Sequence, residues 1–186
     1  FVLLLSKFSA TLLLSLSLMT LVGLMAIGIQ IYKGHAPLEL QTYLTTYAVI
    51  LVPSVVFMIA ASVALNILLR DKYLTYAVSL AIGGATYYLT GQGYNSWLYN
   101  PVLYQLWTPS DLMNGGVHLT RIFLHRIYCL ALSTSLLALA HLFFERKSTR
   151  GLKVHGRLSG RGWSILVAVV SVTIAVVTGL LIGAGV

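Results

Sequence analysis

Six side chains able to carry charge, protons or a metal crowd into twelve positions: His118, Arg121, His125, Arg126, Tyr128 and Cys129. At about 100° per residue on a helix, five of them share an arc of about a third of the circumference: His118, Arg121, His125, Tyr128 and Cys129. Arg126 lies off to one side. Two readings stand. In one, the arc is a polar stripe facing a bundle interior or a wet cavity, with His118, Arg121, His125 and Tyr128 along a pathway. In the other, the two arginines snorkel to headgroups and the histidines bond across helices.

The other chemistry available to the chain is sparse. His118 and His125 stand about 10 Å apart along one helix, His141 lies a span length from His118, and His35 and His155 fall in loops. No pair has ligand spacing for a haem iron, and a metal site is not expected. The single cysteine excludes a disulfide framework and a thiolate cluster. G-x-x-x-x-G-K-[ST], H-E-x-x-H and G-x-S-x-G are all absent, so no nucleotide, zinc-protease or serine-hydrolase site is legible. A proton or sodium relay wants carboxylates buried mid-span, and the four acidic residues, Glu39, Asp71, Asp111 and Glu145, all fall in connecting segments. An enzyme is therefore not expected, and this chain has no energy source of its own.

These residues sit in a chain of 186 residues that is 58% hydrophobic and only 9% charged, with mean hydropathy +0.89. A soluble domain carries about 25% charged residues, so too few remain here to coat a water-facing surface. The net charge of +8 does not point to nucleic acid, because six of the twelve basic residues lie between Arg146 and Arg161, flanked by apolar runs. That is the pattern of a membrane protein's cytoplasmic loop. Five stretches are long enough to span about 30 Å of hydrocarbon: 8–31, 43–69, 73–90, 117–144 and 163–184. They are expected to be helices, since every backbone amide in lipid must be satisfied internally, and the period-2 pattern of a barrel is absent. The expected fold is an all-α, polytopic bundle of five spans. Residues 1–144 form the main bundle, 145–162 a basic cytoplasmic loop, and 163–186 an additional helix. The chain opens at Phe1 as if in the lead-in to a helix, and is read as a piece of a longer protein.

The basic loop puts 145–162 inside the cell, and alternation then puts Lys7 and the turn Arg70-Asp71-Lys72 inside as well. Residues 32–42 and 91–116 fall outside. Pro53, inside the second span, must remove one intrahelical hydrogen bond and kink it. The outer segment is rich in aromatics, including Trp97 and Trp107, and Thr108-Pro109-Ser110-Asp111 reads as a helix start. Short re-entrant or interfacial helices in 92–114 and an aromatic-anchored surface loop are both open. Small-residue runs at Gly23–Gly28 and Gly179–Gly183 read as helix-packing faces.

The stretches LLLSKFSATLLLSL, YLTTYAVILVPSVVFMIAASVALNILLRDKYLTYAV, NPVLYQLWTPSDL and LTRIFLHRIYCLALSTSLLALAHLFFERKS, in that order, resemble the C-terminal part of ABC-2-type transporter permeases. They look closest to the large bacterial permeases in which further helices, sometimes a peptidase-like domain, follow the usual six. The resemblance covers about residues 1–162. It implies a bacterial inner-membrane exporter component that pairs with a cytoplasmic ABC ATPase and a second permease subunit, with ATP and magnesium held by the ATPase and no cofactor in this chain. Spans one to four would match helices three to six of the family. Arg70, Asp71, Lys72 and Tyr73 would match the cytoplasmic turn that touches the ATPase. Trp97, Trp107, Pro109 and Asp111 would lie in the re-entrant segment that closes the outer side. A fifth span is not part of the six-helix unit, and the first coupling helix of the family is missing. For a lumen this apolar the default cargo is amphipathic or lipid-like. The rival classes are a b-type haem redox protein and a non-transporting anchor or assembly subunit.

Overall fold

The computed structural model describes residues 2–34, 40–94, 96, 98, 119–143 and 157–184. Among these residues every regular element is a helix. They run in the order α1 (Val2–Tyr32), α2 (Leu40–Thr45), a π-helical stretch (Thr46–Leu51), α3 (Val52–Leu69), α4 (Lys72–Gly91), α5 (Leu119–Phe143) and α6 (Arg157–Gly183).

Four of them are long and apolar enough to cross a membrane: 4–32, 43–69, 120–143 and 162–183. That is the make-up of a multi-pass membrane protein. The fifth expected span, 73–90, does form a helix, α4, of 20 residues or about 30 Å. It is not among the four, because Tyr73, Thr75, Tyr76, Tyr87, Tyr88 and Thr90, with Gly83 and Gly84, dilute its apolar content. The last helix begins at Arg157, not at Trp163. Arg157 and Arg161, expected in the basic loop, thus belong to the first turns of α6, where the backbone continues a helix that the apolar run begins only later. The rest of the loop, 145–156, lies outside the described residues.

The packing is centred on α5. It makes its most extensive contact with α6 and its next with α3, and it also touches the π-helical stretch. The α5–α6 seam holds Tyr128 and Ala131 of α5 against Ala175 and Ile182 of α6, with Leu124 and Leu132 beside them. At the far end of α5, the Ser164 hydroxyl lies 2.6 Å from His141 Nδ1 and ties the same two helices. The α3–α5 seam is built from small side chains: Ala60 and Ala64 on α3, and Cys129, Ser133 and Ala140 on α5, are buried. Small residues let helix backbones approach closely, which matters in lipid, where hydrophobicity alone gives helices no reason to associate.

The remaining helices are held lightly. Two tyrosines fasten α1: the Tyr43 hydroxyl donates to Gln30 Oε1 at 2.6 Å, and the Tyr47 hydroxyl to the Met19 carbonyl at 3.2 Å. Gly23 faces that second tyrosine, and a Cβ there would overlap the Tyr47 ring and hydroxyl. One end of the expected 23–28 packing face is therefore real, whereas Gly28 borders open space. Gly179 is buried and Gly183 is exposed.

Candidate functional site

The irregular part of the second span lies opposite the polar part of α5. Pro53 has no N–H to offer the carbonyl four residues back, and the turn before it widens: the Val52 N–H bonds the Tyr47 carbonyl, five residues behind. The expected effect of Pro53 thus takes the form of a π-helical turn over Thr46–Leu51, with Pro53 in the first turn of α3. Ser54, 8% exposed, donates its hydroxyl to the Ile50 carbonyl at 2.8 Å and bridges the same break.

Against this break α5 presents Arg126 and Cys129. Arg126 is only 6% exposed, and its Nη1 donates to Ser54 Oγ at 3.2 Å. Cys129 is fully buried, its thiol directed at the Pro53 carbonyl with Sγ at 3.6 Å. One turn further, Ser133 returns its hydroxyl to the Cys129 carbonyl at 2.8 Å. Arg126 therefore does not snorkel, and it is not peripheral to the polar cluster. It points into the α3–α5 seam.

The expected arc is split between two seams. Tyr128 belongs to the α6 side, where it packs with Ala131, Ala175 and Ile182, and its hydroxyl reaches the Leu98 carbonyl at 3.4 Å. Cys129 belongs to the α3 side. His125 lies between them, fully buried, with its ring 6.2 Å from that of Tyr128 and tilted by 40°. Arg121 is half-buried, with Nε shielded from solvent and no acceptor near it. His118, and Trp97, Trp107, Pro109 and Asp111 of the outer segment, lie outside the described residues. So does nearly all of the segment expected to hold re-entrant or interfacial helices.

The two histidines among the described residues do not converge. His125 and His141 are sixteen residues apart on α5, about 24 Å along its axis. Among the described residues no group of three or more His, Cys, Asp or Glu side chains comes together as a metal site would require.

At the other end of α3, the turn Arg70-Asp71-Lys72-Tyr73 is ordered by its own hydrogen bonds. Arg70 closes α3 in the left-handed region (φ 55°), donating its N–H to the Asn66 carbonyl at 3.1 Å. Asp71 caps α4: its Oδ1 accepts from the Tyr73 and Leu74 amides at 2.7 and 3.2 Å, satisfying two of the orphan donors of a helix start. The Thr75 hydroxyl donates to the Asp71 carbonyl at 2.7 Å. The Lys72 ammonium sits over the Tyr73 ring, 5.0 Å from its centroid. One oxygen of the Asp71 carboxylate is thus engaged by backbone amides. All four residues remain exposed, so the turn is a fixed, charged knob at the end of two helices.

A third feature is an apolar cleft of about 160 Å³ between Leu4, Leu5 and Phe8 of α1, Leu137 and Ala138 of α5, and Trp163 and Val167 of α6. The polar pair His141–Ser164 lies at its edge, through Ser164.

Four membrane-length helices, a buried arginine at a broken span and a rigid charged turn define a polytopic membrane protein with an internal polar seam. No family model, curated protein or solved structure matches the chain.

Proposed function

We propose that the chain is the membrane-spanning part of an ATP-driven exporter of the ABC-2 type, in a bacterial inner membrane. It forms part of the translocation pathway, works beside a second permease subunit, and takes its energy from a separate cytoplasmic ATPase. The observation that carries this reading is the turn between α3 and α4. A knob with three charged side chains, ordered by Asp71 and exposed at the junction of two helices, is what docking onto a soluble ATPase requires. Isolated exposed charges contribute about 0–1 kcal/mol to stability, so their use lies in specific contact. The family resemblance in the order of sequence stretches points the same way, as does the absence of a nucleotide motif from this chain.

In this reading α4 is a fifth crossing. Its 20 residues suffice for the hydrocarbon at about 1.5 Å each, it follows α3 after two residues, and Leu80, Ile82 and Leu89 are exposed on different sides of it. Tyr87 and Tyr88 near one end and Tyr73 and Tyr76 near the other then sit at the two headgroup levels. The arginine-rich connector and the 70–73 turn share the cytoplasmic side, and residues 92–114 the outer side.

The test is charge reversal that spares the cap. In the full-length protein assembled with its ATPase, the double substitution Arg70→Glu and Lys72→Glu is expected to abolish transport-coupled ATP hydrolysis while the assembly of α3 and α4 persists. Unchanged hydrolysis would remove the turn from the coupling interface.

A further inference from the structure

A guanidinium inside a membrane span costs several kcal/mol unless its charge and its N–H groups are matched. Arg126 is matched only in part. Its Nη1 has the neutral Ser54 hydroxyl, while its Nε, shielded from solvent, has no acceptor. Among the described residues the one carboxylate is that of Asp71, already engaged by two amides. It also stands seventeen residues from Ser54, about 25 Å along α3. Five positions before Arg126, about 7.5 Å up the helix, Arg121 holds a second shielded Nε without an acceptor. Two cations within about a turn and a half of one span are more than a single hydroxyl offsets.

The surroundings define what would complete the site. Ser54 fixes one edge of the guanidinium and leaves Nε–H to donate, and a guanidinium edge takes carboxylate or phosphate oxygens in two parallel hydrogen bonds. Ile122, four residues before Arg126 on α5, and Cys129, three after it, are buried, and neither offers a charged group for a water-soluble ligand's remainder.

We propose that Arg126, oriented by Ser54, binds the anionic headgroup of an amphiphile, a carboxylate or a phosphate carried on an apolar tail. The proposal rests on the exporter reading only in calling that amphiphile cargo. The binding itself needs no ATPase, so the two ideas fail separately.

The test is equilibrium binding to the full-length protein in a neutral detergent. The probes are a fluorescent long-chain fatty acid, its methyl ester, and the matching lysophosphatidate, with inorganic phosphate as competitor. The acid and the lysophosphatidate are expected to bind at least tenfold more tightly than the ester (about 1.4 kcal/mol). Arg126→Gln is expected to erase that preference, and Arg126→Lys to keep part of it. Should Arg126→Gln fail to fold, Ser54→Ala, which keeps the charge and frees the guanidinium, is expected to cut the preference severalfold. Equal affinity of the wild type for acid and ester would overturn the proposal and would fit a carboxylate of the protein or a partner subunit already seated on Arg126. A preference that survives both substitutions would overturn it too. Displacement of the probe by inorganic phosphate alone would overturn the amphiphile and leave a free-anion site.

Discussion

α5 and α1 are helices of similar kind in the sequence and opposite kind in the structure. In an 18-residue apolar stretch of the span 120–143 half of the residues are buried, against 6% in that of the span 4–32, yet the buried helix is the less apolar of the two. In water that order would be inverted. In lipid it follows from the solvent: apolar side chains lose nothing by facing hydrocarbon, whereas the charged and ring nitrogens of α5 find partners on other helices, Arg126 on Ser54 and His141 on Ser164. The polar content of a span therefore marks its place in the bundle, with α5 at the centre and α1 at the edge, held by two tyrosine hydroxyls.

That contrast can be broken by substitution. Overfilling the α3–α5 seam should cost most: Ala60→Leu, at a fully buried site, is expected to destabilise the folded protein by about 1–3 kcal/mol in thermal unfolding in detergent. Leu13→Ala on α1, where Leu13 is 68% exposed, should fall within about 0.5 kcal/mol of wild type. Equal effects at the two sites would erase the distinction between centre and edge.

The turn offers a second contrast, between structure and contact. Asp71→Ala removes the α4 cap and is expected to cost about 1 kcal/mol, while Asp71→Asn keeps an acceptor oxygen and most of the stability. Measured beside ATPase stimulation, the pair separates a capping role from a charge-recognition role. Arg70→Gly should raise stability by up to about 1 kcal/mol, because glycine occupies the left-handed region without a Cβ penalty. A gain in stability with a loss of stimulated hydrolysis would mark Arg70 as kept for contact. Gly23→Ala should push Tyr47 off the Met19 carbonyl and cost less than about 1 kcal/mol, read as weaker thermal protection of α1 in amide exchange.

Much of the architecture was legible because the bilayer imposes a length. Runs 8–31, 43–69 and 163–184 reappear as membrane-length helices with their ends shifted by a few residues. The Pro53 break was legible because proline lacks a donor, though its form was not: a π-turn depends on which carbonyl the widened backbone finds. The reading of α5 failed at one point for a clear reason. A helical wheel measures angles between side chains of one helix, but α5 is buried on two sides, against α3 and α6. The arc of five was therefore not a single face. Arg126, set aside by its angle, pointed at Ser54, and only the position of α3 could reveal that. The tyrosines and glycines of α4 gave a helix without settling a span, since amphiphilic residues suit both headgroup level and bundle surface.

The pairing of Arg126 with Ser54 across α3 and α5 joins the broken span to the polar seam, and a double-mutant cycle isolates it. Unfolding free energies of wild type, Ser54→Ala, Arg126→Gln and the double variant should give a coupling of about 0.6–1.7 kcal/mol, as measured for hydrogen bonds between membrane helices. Strict additivity of the two single losses would mean that Arg126 leaves the seam for the headgroups, and α5 would then lose its place at the centre of the fold.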